Sequence, residues 1–393
     1  LSLLSHGEDA TCLLWRLAWA VSSHGNDFQL RQVSSFHKHS GRNIFSLDIY
    51  RDGGEIVVHT GGADGALKTL RIVENKLADE PGAVSSASKL NVPHHKGRKS
   101  ARGYSFVSPD CFIATSAQGE VQLGWITSQA QDSEPNITME TLCTADDLRS
   151  FCAVTSLPCK GLALLGNAQD LVRLYDHKTK SLSTLARTDQ QMPGLFACGP
   201  GIDASPSDSS CIISFVASSA TAGGACLFMV TMRDATEMDV VNIALYLPQH
   251  FEISCASLVC DSNYLVLGSR HGALAVYHIL NNGESLQPLI LSRRVHGELG
   301  MAGVNKIIPF WSHNPRCGTF TEYFMSCGRD GHYCVHEVQA VDDPEKPVSL
   351  RTIHRSSTSL GQNIAGAYFD RRSQDLMLYG FQHKQFILWN ESA

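Results

Sequence analysis

One short phrase recurs eight times along the 393 residues: a small turn ending in Asp-Gly or a stand-in, then a β-rich run closing on an aromatic or apolar residue. It reads Gly7-Glu8-Asp9-Ala10-Thr11-Cys12-Leu13-Leu14-Trp15 and Gly62-Ala63-Asp64-Gly65-Ala66-Leu67-Lys68-Thr69-Leu70. Weaker copies close on Trp125, Tyr175, Met229, Tyr277, His336 and Trp389. Successive endpoints lie 48 to 59 residues apart. A period near 50 built from strands and tight turns predicts an all-β fold, a β-propeller of degenerate WD repeats with four-stranded antiparallel blades. Seven intervals joining eight phrases predict about seven blades, or a segment of a multi-propeller protein.

Each phrase makes sense as a hairpin. Glu55 to Thr60 is β-prone, Gly61 to Gly65 supplies a turn, and Ala66 to Ile72 returns. Asp-Gly between two such runs offers the positive φ angles that a tight turn needs. A second element recurs upstream of three phrases: His37 before Gly41-Arg42-Asn43, His296 before Gly303-Val304-Asn305, and His354 before Gly361-Gln362-Asn363. In a WD repeat such a histidine lies under the blade and bonds the turn aspartate and a Ser or Thr. His37–Thr60–Asp64 and His296–Ser326–Asp330 fit that arrangement as structural hydrogen bonds. The tryptophan that completes it is replaced by Leu70 and His336.

Leu1 starts almost inside a hairpin, and Ala393 falls just after the last phrase. The expected organisation is therefore a partial blade over 1–35, then propeller blades over 36–393 with the last one truncated. Thirteen cysteines occur with no Cys-x-x-Cys pair, mostly in apolar runs such as Cys226-Leu227-Phe228. That usage predicts reduced structural thiols in a cytosolic or nuclear protein, with the cytoplasm as the expected location. Residues 211–232 carry no charge, but Gly223-Gly224 and its small neighbours divide them into two strands round a turn rather than a membrane span.

The net charge of −6 argues against general polyanion binding. Residues 81–109 depart from it: they hold Lys89, Lys96, Arg98, Lys99 and Arg102 and no acid. His94 to Tyr104 is expected to form a loop between blades. Two readings fit it: Lys96, Arg98, Lys99 and Arg102 neutralise phosphates while Tyr104 stacks on a base, or the loop is a solvated connector. Two further polar connectors are expected near 127–147 and 338–350.

Motifs of catalysis are absent from the sequence: no phosphate loop, no Gly-x-Ser-x-Gly elbow, no His-Glu-x-x-His. His332, Cys334 and His336 alternate on one strand face, but no fourth ligand stands at metal spacing, so packing is the expected role. No catalytic residue, metal site or cofactor site is assigned, and no small-molecule substrate or membrane contact is expected.

His6 to Trp15, His39-Ser40-Gly41-Arg42-Asn43-Ile44-Phe45-Ser46-Leu47, Thr60 to Gly65 and Gly380 to Trp389 resemble blades of the WD repeat-containing protein 6 family. The resemblance covers about a tenth of the chain, in order from one end to the other. It implies a non-catalytic subunit that binds a tRNA 2′-O-ribose methyltransferase and positions tRNA for methylation of wobble nucleotide 34. S-adenosylmethionine would then belong to the partner enzyme. Arg42 and Asn43, where an inner strand begins, become partner or RNA contacts, or else a turn that caps the blade. The competing reading is a propeller scaffold in trafficking or ubiquitin ligation with no RNA role.

Overall fold

The computed structural model describes residues 2–6, 12–22, 25–36, 44–52, 55–62, 67–73, 101–108, 110–116, 118–127, 136–149, 152–157, 161–167, 171–187, 194–198, 211–218, 224–232, 238–259, 263–279, 286–287, 293–297, 303–314, 319–340, 348–356, 363–369, 376–382 and 385–391. The chain divides into two compact units, Leu1–Cys152 and Ala153–Ala393.

Among the described residues, the first unit holds three antiparallel sheets. They are β1 (Ser2–His6), β2 (Cys12–Ser22) and β3 (Gly25–Phe36); β4 (Ile44–Asp52), β5 (Glu55–Gly62) and β6 (Leu67–Val73); and β7 (Ala101–Ser108), β8 (Cys111–Ser116), β9 (Glu120–Thr127) and β10 (Asn136–Thr144). The second, among the described residues, holds five. These are β11 (Cys152–Leu157), β12 (Leu162–Asn167), β13 (Leu171–Asp176) and β14 (Ser181–Arg187), then β15 (Gly194–Ala197), β16 (Cys211–Ser218), β17 (Gly224–Met232) and β18 (Met238–Tyr246). Next come β19 (Ile253–Val259), β20 (Tyr264–Ser269) and β21 (Ala273–Ile279), flanked by the short β22 (Leu286–Gln287) and β23 (Arg293–Arg294). The last two sheets are β24 (Val304–Asn314), β25 (Thr319–Gly328), β26 (Tyr333–Ala340) and β27 (Val348–Arg355), and β28 (Asn363–Phe369), β29 (Leu376–Gln382) and β30 (Gln385–Glu391).

Each repeated phrase joins two consecutive antiparallel strands, and each pair lies in a different sheet: β1/β2, β5/β6, β8/β9, β12/β13, β16/β17, β20/β21, β25/β26 and β29/β30. Residues 211–232 form β16 and β17, paired from Cys211↔Met232 to Ser218↔Ala225. Among the described residues, no helix is long and apolar enough to cross a membrane.

In three phrases the turn glycine is described, and its geometry repeats. Gly119, Gly272 and Gly331 have φ of 81°, 80° and 77°. Each donates its N–H three residues back, to Ser116 O, Ser269 O and Gly328 O. Asp330 and His271 are not among the side-chain-bearing residues with positive φ. The left-handed residue is therefore the glycine that ends the turn, as in a bulged three-residue hairpin loop, and the aspartate keeps an ordinary backbone.

Core side chains of the second unit lie between successive sheets. Leu162, Leu164, Val172 and Leu174 of one sheet pack on Phe215, Ala217, Phe228 and Val230 of the next, with the Phe215 and Phe228 rings stacked at 4.8 Å. Leu227 and Leu245 meet Leu265, Leu267 and Tyr277; Val266 and Val276 meet Val304 and Phe324; Met325 and Tyr333 meet Ile364 and Leu378. A sheet covered on both faces needs unbroken apolar runs, which is why β20 and β21 are buried almost throughout while the outer β14 is not. Each such side chain contributes roughly 1.5–3 kcal/mol through burial. Cys198, Cys255 and Cys327 belong to this interior and Cys12 lies in the first unit; burial pushes all four thiols up to about 12 and keeps them protonated and inert.

Two expectations are corrected here. The polar stretch near 127–147 supplies β10, and the one near 338–350 supplies the end of β26 and the start of β27. Residues 138–144 of β10 are exposed or half-buried, so the strand needs no apolar pattern.

Candidate interaction face

Five side chains assemble at the fourth sheet of the second unit, β24 to β27, where β23 leads towards β24. His296 Nδ1 lies 3.1 Å from Asp330 Oδ1, and His296 Nε2 lies 2.8 Å from Ser326 Oγ. The chain continues: Ser326 Oγ is 2.8 Å from His336 Nε2, and His336 Nδ1 is 3.2 Å from Thr352 Oγ1. It thus crosses β25, β26 and β27. Register brings the parts together, since Phe324 pairs with His336 and His336 with Thr352.

With both imidazoles neutral, one arrangement of protons satisfies the whole chain. Asp330 only accepts, so His296 Nδ1–H donates to it and Nε2 accepts from the Ser326 hydroxyl. Ser326 then accepts from His336 Nε2–H, and Thr352 donates to His336 Nδ1. The imidazole of His336, stacked on Phe324 with centroids 4.8 Å apart, supplies the N–H that an indole supplies in an undegraded repeat. His296, Ser326 and His336 are at most 1% exposed, so each unmade bond here would carry its full desolvation cost.

Asp330 also receives the N–H groups of Gly297 at 2.8 Å and His332 at 3.1 Å. Burial pushes its carboxyl up, but the His296 hydrogen bond and these two amides outweigh burial and bring the pKa down to about 2. A carboxylate depressed in the folded state stabilises above its unfolded pKa and loses that contribution as pH falls through the folded one. The window is pH 4 to 2, and the total is about 2 kcal/mol. The stability advantage of the wild-type chain over Asp330→Asn should shrink by about 1 kcal/mol between pH 5 and pH 3 in urea titrations. A constant difference would mean that Asp330 is not held this way.

The other anticipated residues are distributed as follows. His37, Arg42, Asn43, Asp64, Lys96, Arg98 and Lys99 lie outside the described residues. Thr60 is buried in β5, four residues before Asp64, the place that Ser326 occupies before Asp330. Arg102 and Tyr104 belong to strand β7, which corrects the loop expected over 94–104 at its carboxyl end. Tyr104 is half-buried against Phe106, Phe112, Ala114 and Ile126. His332 Nδ1 lies 3.0 Å from Ser356 Oγ, and among the described residues no three His, Cys, Asp or Glu side chains group as a metal site.

A cavity of ≈ 360 Å³ opens in the second unit between the first strands of three successive sheets, β15, β19 and β24. β19 contacts both of its neighbours there. Its polar wall is Ser254, Arg270, Asn305 and Arg329. Sequence reasoning missed these arginines. The signal was present, because Arg270-His271-Gly272 and Arg329-Asp330-Gly331 place them at the same position of two adjacent phrases.

Solved structures resemble this architecture over nearly its whole length. The propeller of Dos1 superposes with a TM-score of 0.53 at 15% identity, covering 94% of this chain and 86% of that one. The chain has a β-propeller fold. Sqt1 of Saccharomyces cerevisiae gives a TM-score of 0.54 at 9% identity, over 99% of the propeller and 92% of its own chain. At such identities the likeness concerns the fold alone. No protein-family model and no curated protein sequence matches the chain.

Proposed function

We propose that this propeller is a non-catalytic subunit that binds a tRNA 2′-O-ribose methyltransferase and positions tRNA for methylation of wobble nucleotide 34 in the cytoplasm. One observation carries the reading: the resemblance of His6–Trp15, His39–Leu47, Thr60–Gly65 and Gly380–Trp389 to blades of the WD repeat-containing protein 6 family, in order. A rigid display surface suits the task, because methylating one ribose in a folded RNA needs orientation more than additional reactive groups. In this reading the propeller holds no cofactor, and S-adenosylmethionine and the chemistry belong to the enzyme. Arg42, Asn43, Lys96, Arg98, Lys99, Arg102 and Tyr104 are the proposed partner or RNA contacts.

The test is mass spectrometry of 2′-O-methylation at nucleotide 34 in tRNA from cells lacking the protein. Selective loss at that nucleotide, with other ribose methylations intact, is the expected result. Normal methylation would leave a propeller scaffold without an RNA role.

A further inference from the structure

We infer that the cavity between β15, β19 and β24 is a binding pocket for a carboxylate side chain on an acidic segment of a partner protein. The inference holds whichever enzyme or RNA the propeller serves, because it rests on the cavity's own chemistry. Arg270 and Arg329 stand 59 residues apart, the spacing that also separates Tyr277 from His336. Their backbones are docked alike: Arg270 N–H donates to Glu252 O and Arg329 N–H to Gly303 O, each at 2.9 Å and each just before the first strand of its own sheet. Two equivalent positions of adjacent repeats thus aim cations at one space.

The remaining polar groups on the wall are committed elsewhere. Ser254 Oγ donates towards Val304 O at 2.6 Å and Gly268 O at 3.1 Å. Asn305 Nδ2 donates to Ile364 O at 2.6 Å, and its Oδ1 accepts from Arg329 Nε at 3.3 Å. Asn305 is therefore a positioning residue that fixes the Arg329 fork, while both Nη groups of Arg329 make no hydrogen bond or ion pair among the described residues. Arg270 has only the distant Glu252, 3.8 Å away, with both side chains more than 60% exposed. Such a pair is worth little and yields readily to a better acceptor. A wall that offers guanidinium donors calls for an acceptor-only, anionic ligand, and the planar forks match a carboxylate.

Size and surroundings choose the source of that anion. Phe196, Ile253 and Val304 make the wall partly apolar, which suits the methylene stem of a glutamate. The volume lies at the small end of the roughly 300–1,000 Å³ range of ligand pockets. A nucleic acid gains affinity by having many phosphates neutralised, whereas this cavity holds two cations beside Glu252 on a chain of net charge −6. One acidic side chain is matched here, and a train of phosphates is not.

Fluorescence anisotropy on the 393-residue chain tests this, with fluorescein-labelled hexaglutamate as probe, hexaglutamine as neutral control and a 12-mer oligouridylate as the polyanion. Hexaglutamate should bind and hexaglutamine should not. Arg270→Ala and Arg329→Ala should each weaken hexaglutamate about ten-fold without lowering the thermal midpoint, and Arg329→Lys should recover only part of the loss. The exposed Lys178→Ala should leave binding unchanged. Equal hexaglutamate affinity in the wild type and the Arg270→Ala/Arg329→Ala double variant would overturn the inference. So would oligouridylate binding tighter than hexaglutamate through the same two arginines, which would make the cavity a phosphate contact instead.

Discussion

Replacing His296 by Ala is expected to cost about 2–4 kcal/mol of folding stability, the range for leaving two buried hydrogen-bonding partners without their bond. The size follows from what is left behind. The Asp330 side chain is 6% exposed and would keep two amide donors and Arg355 at 3.8 Å, but lose its imidazole. On the other side Ser326, 0% exposed, would lose its acceptor, and its hydroxyl could donate to His336 Nε2 instead only by reversing the direction of the remaining chain. Urea denaturation followed by circular dichroism gives the midpoint and slope. A change below 1 kcal/mol would show that the histidine is surrounded by water-accessible substitutes and that the buried chain is not what holds β25 to β26 and β27.

The parts of this fold that could be read in the sequence are those set by local chemistry. A hairpin needs only its own turn and its two β-prone arms, so all eight phrases were visible from short windows, including the pair β16 and β17 inside an uncharged run of 22 residues. His296, Ser326 and Asp330 could be grouped because the His-to-Gly spacing repeats at His354. Thr352 could not, since its place opposite His336 depends on strand register across a shift between Val335 and His336. Outer strands were misread as connectors because solvent covers one side of them and nothing apolar is required at alternate positions. Tyr104 was misplaced for a related reason: a basic run immediately before it hides the start of β7, whose next residues turn towards Phe112.

The arginine pair shows a different limit. Arg270 and Arg329 are two of 32 basic residues, and the first sits beside His271 where the second has Asp330. Only the packing of β19 on β24 gives them a common space, and contact between elements 50 residues apart is what periodicity alone does not supply. The division at Cys152 and Ala153 was equally silent, for no change of composition marks it.

Gly328→Ala should destabilise the chain by about 2–4 kcal/mol although it removes no hydrogen-bonding group. Gly328 ends β25, and a methyl group there would run into Asp330 Oδ1 and His296 Nδ1, the two atoms whose bond anchors the buried chain. Neither can retreat cheaply. Asp330 is tied to Gly297 and His332 by their N–H groups, and His296 is held from the far side by Ser326. The substitution therefore acts as a steric knife on one hydrogen bond, and this makes its coupling to His296 the decisive quantity. If the methyl works by parting His296 from Asp330, most of its cost vanishes once His296 is already Ala, and the double variant should be less than about 1 kcal/mol worse than His296→Ala alone. Costs that simply add would place the damage in the β25 backbone, whose Gly328 N–H bonds His332 O at 2.9 Å, and would leave the side-chain network intact. The same urea titration separates the two, because a backbone lesion also frees the hairpin that presents Arg329 to the cavity, and hexaglutamate binding would then fall together with stability.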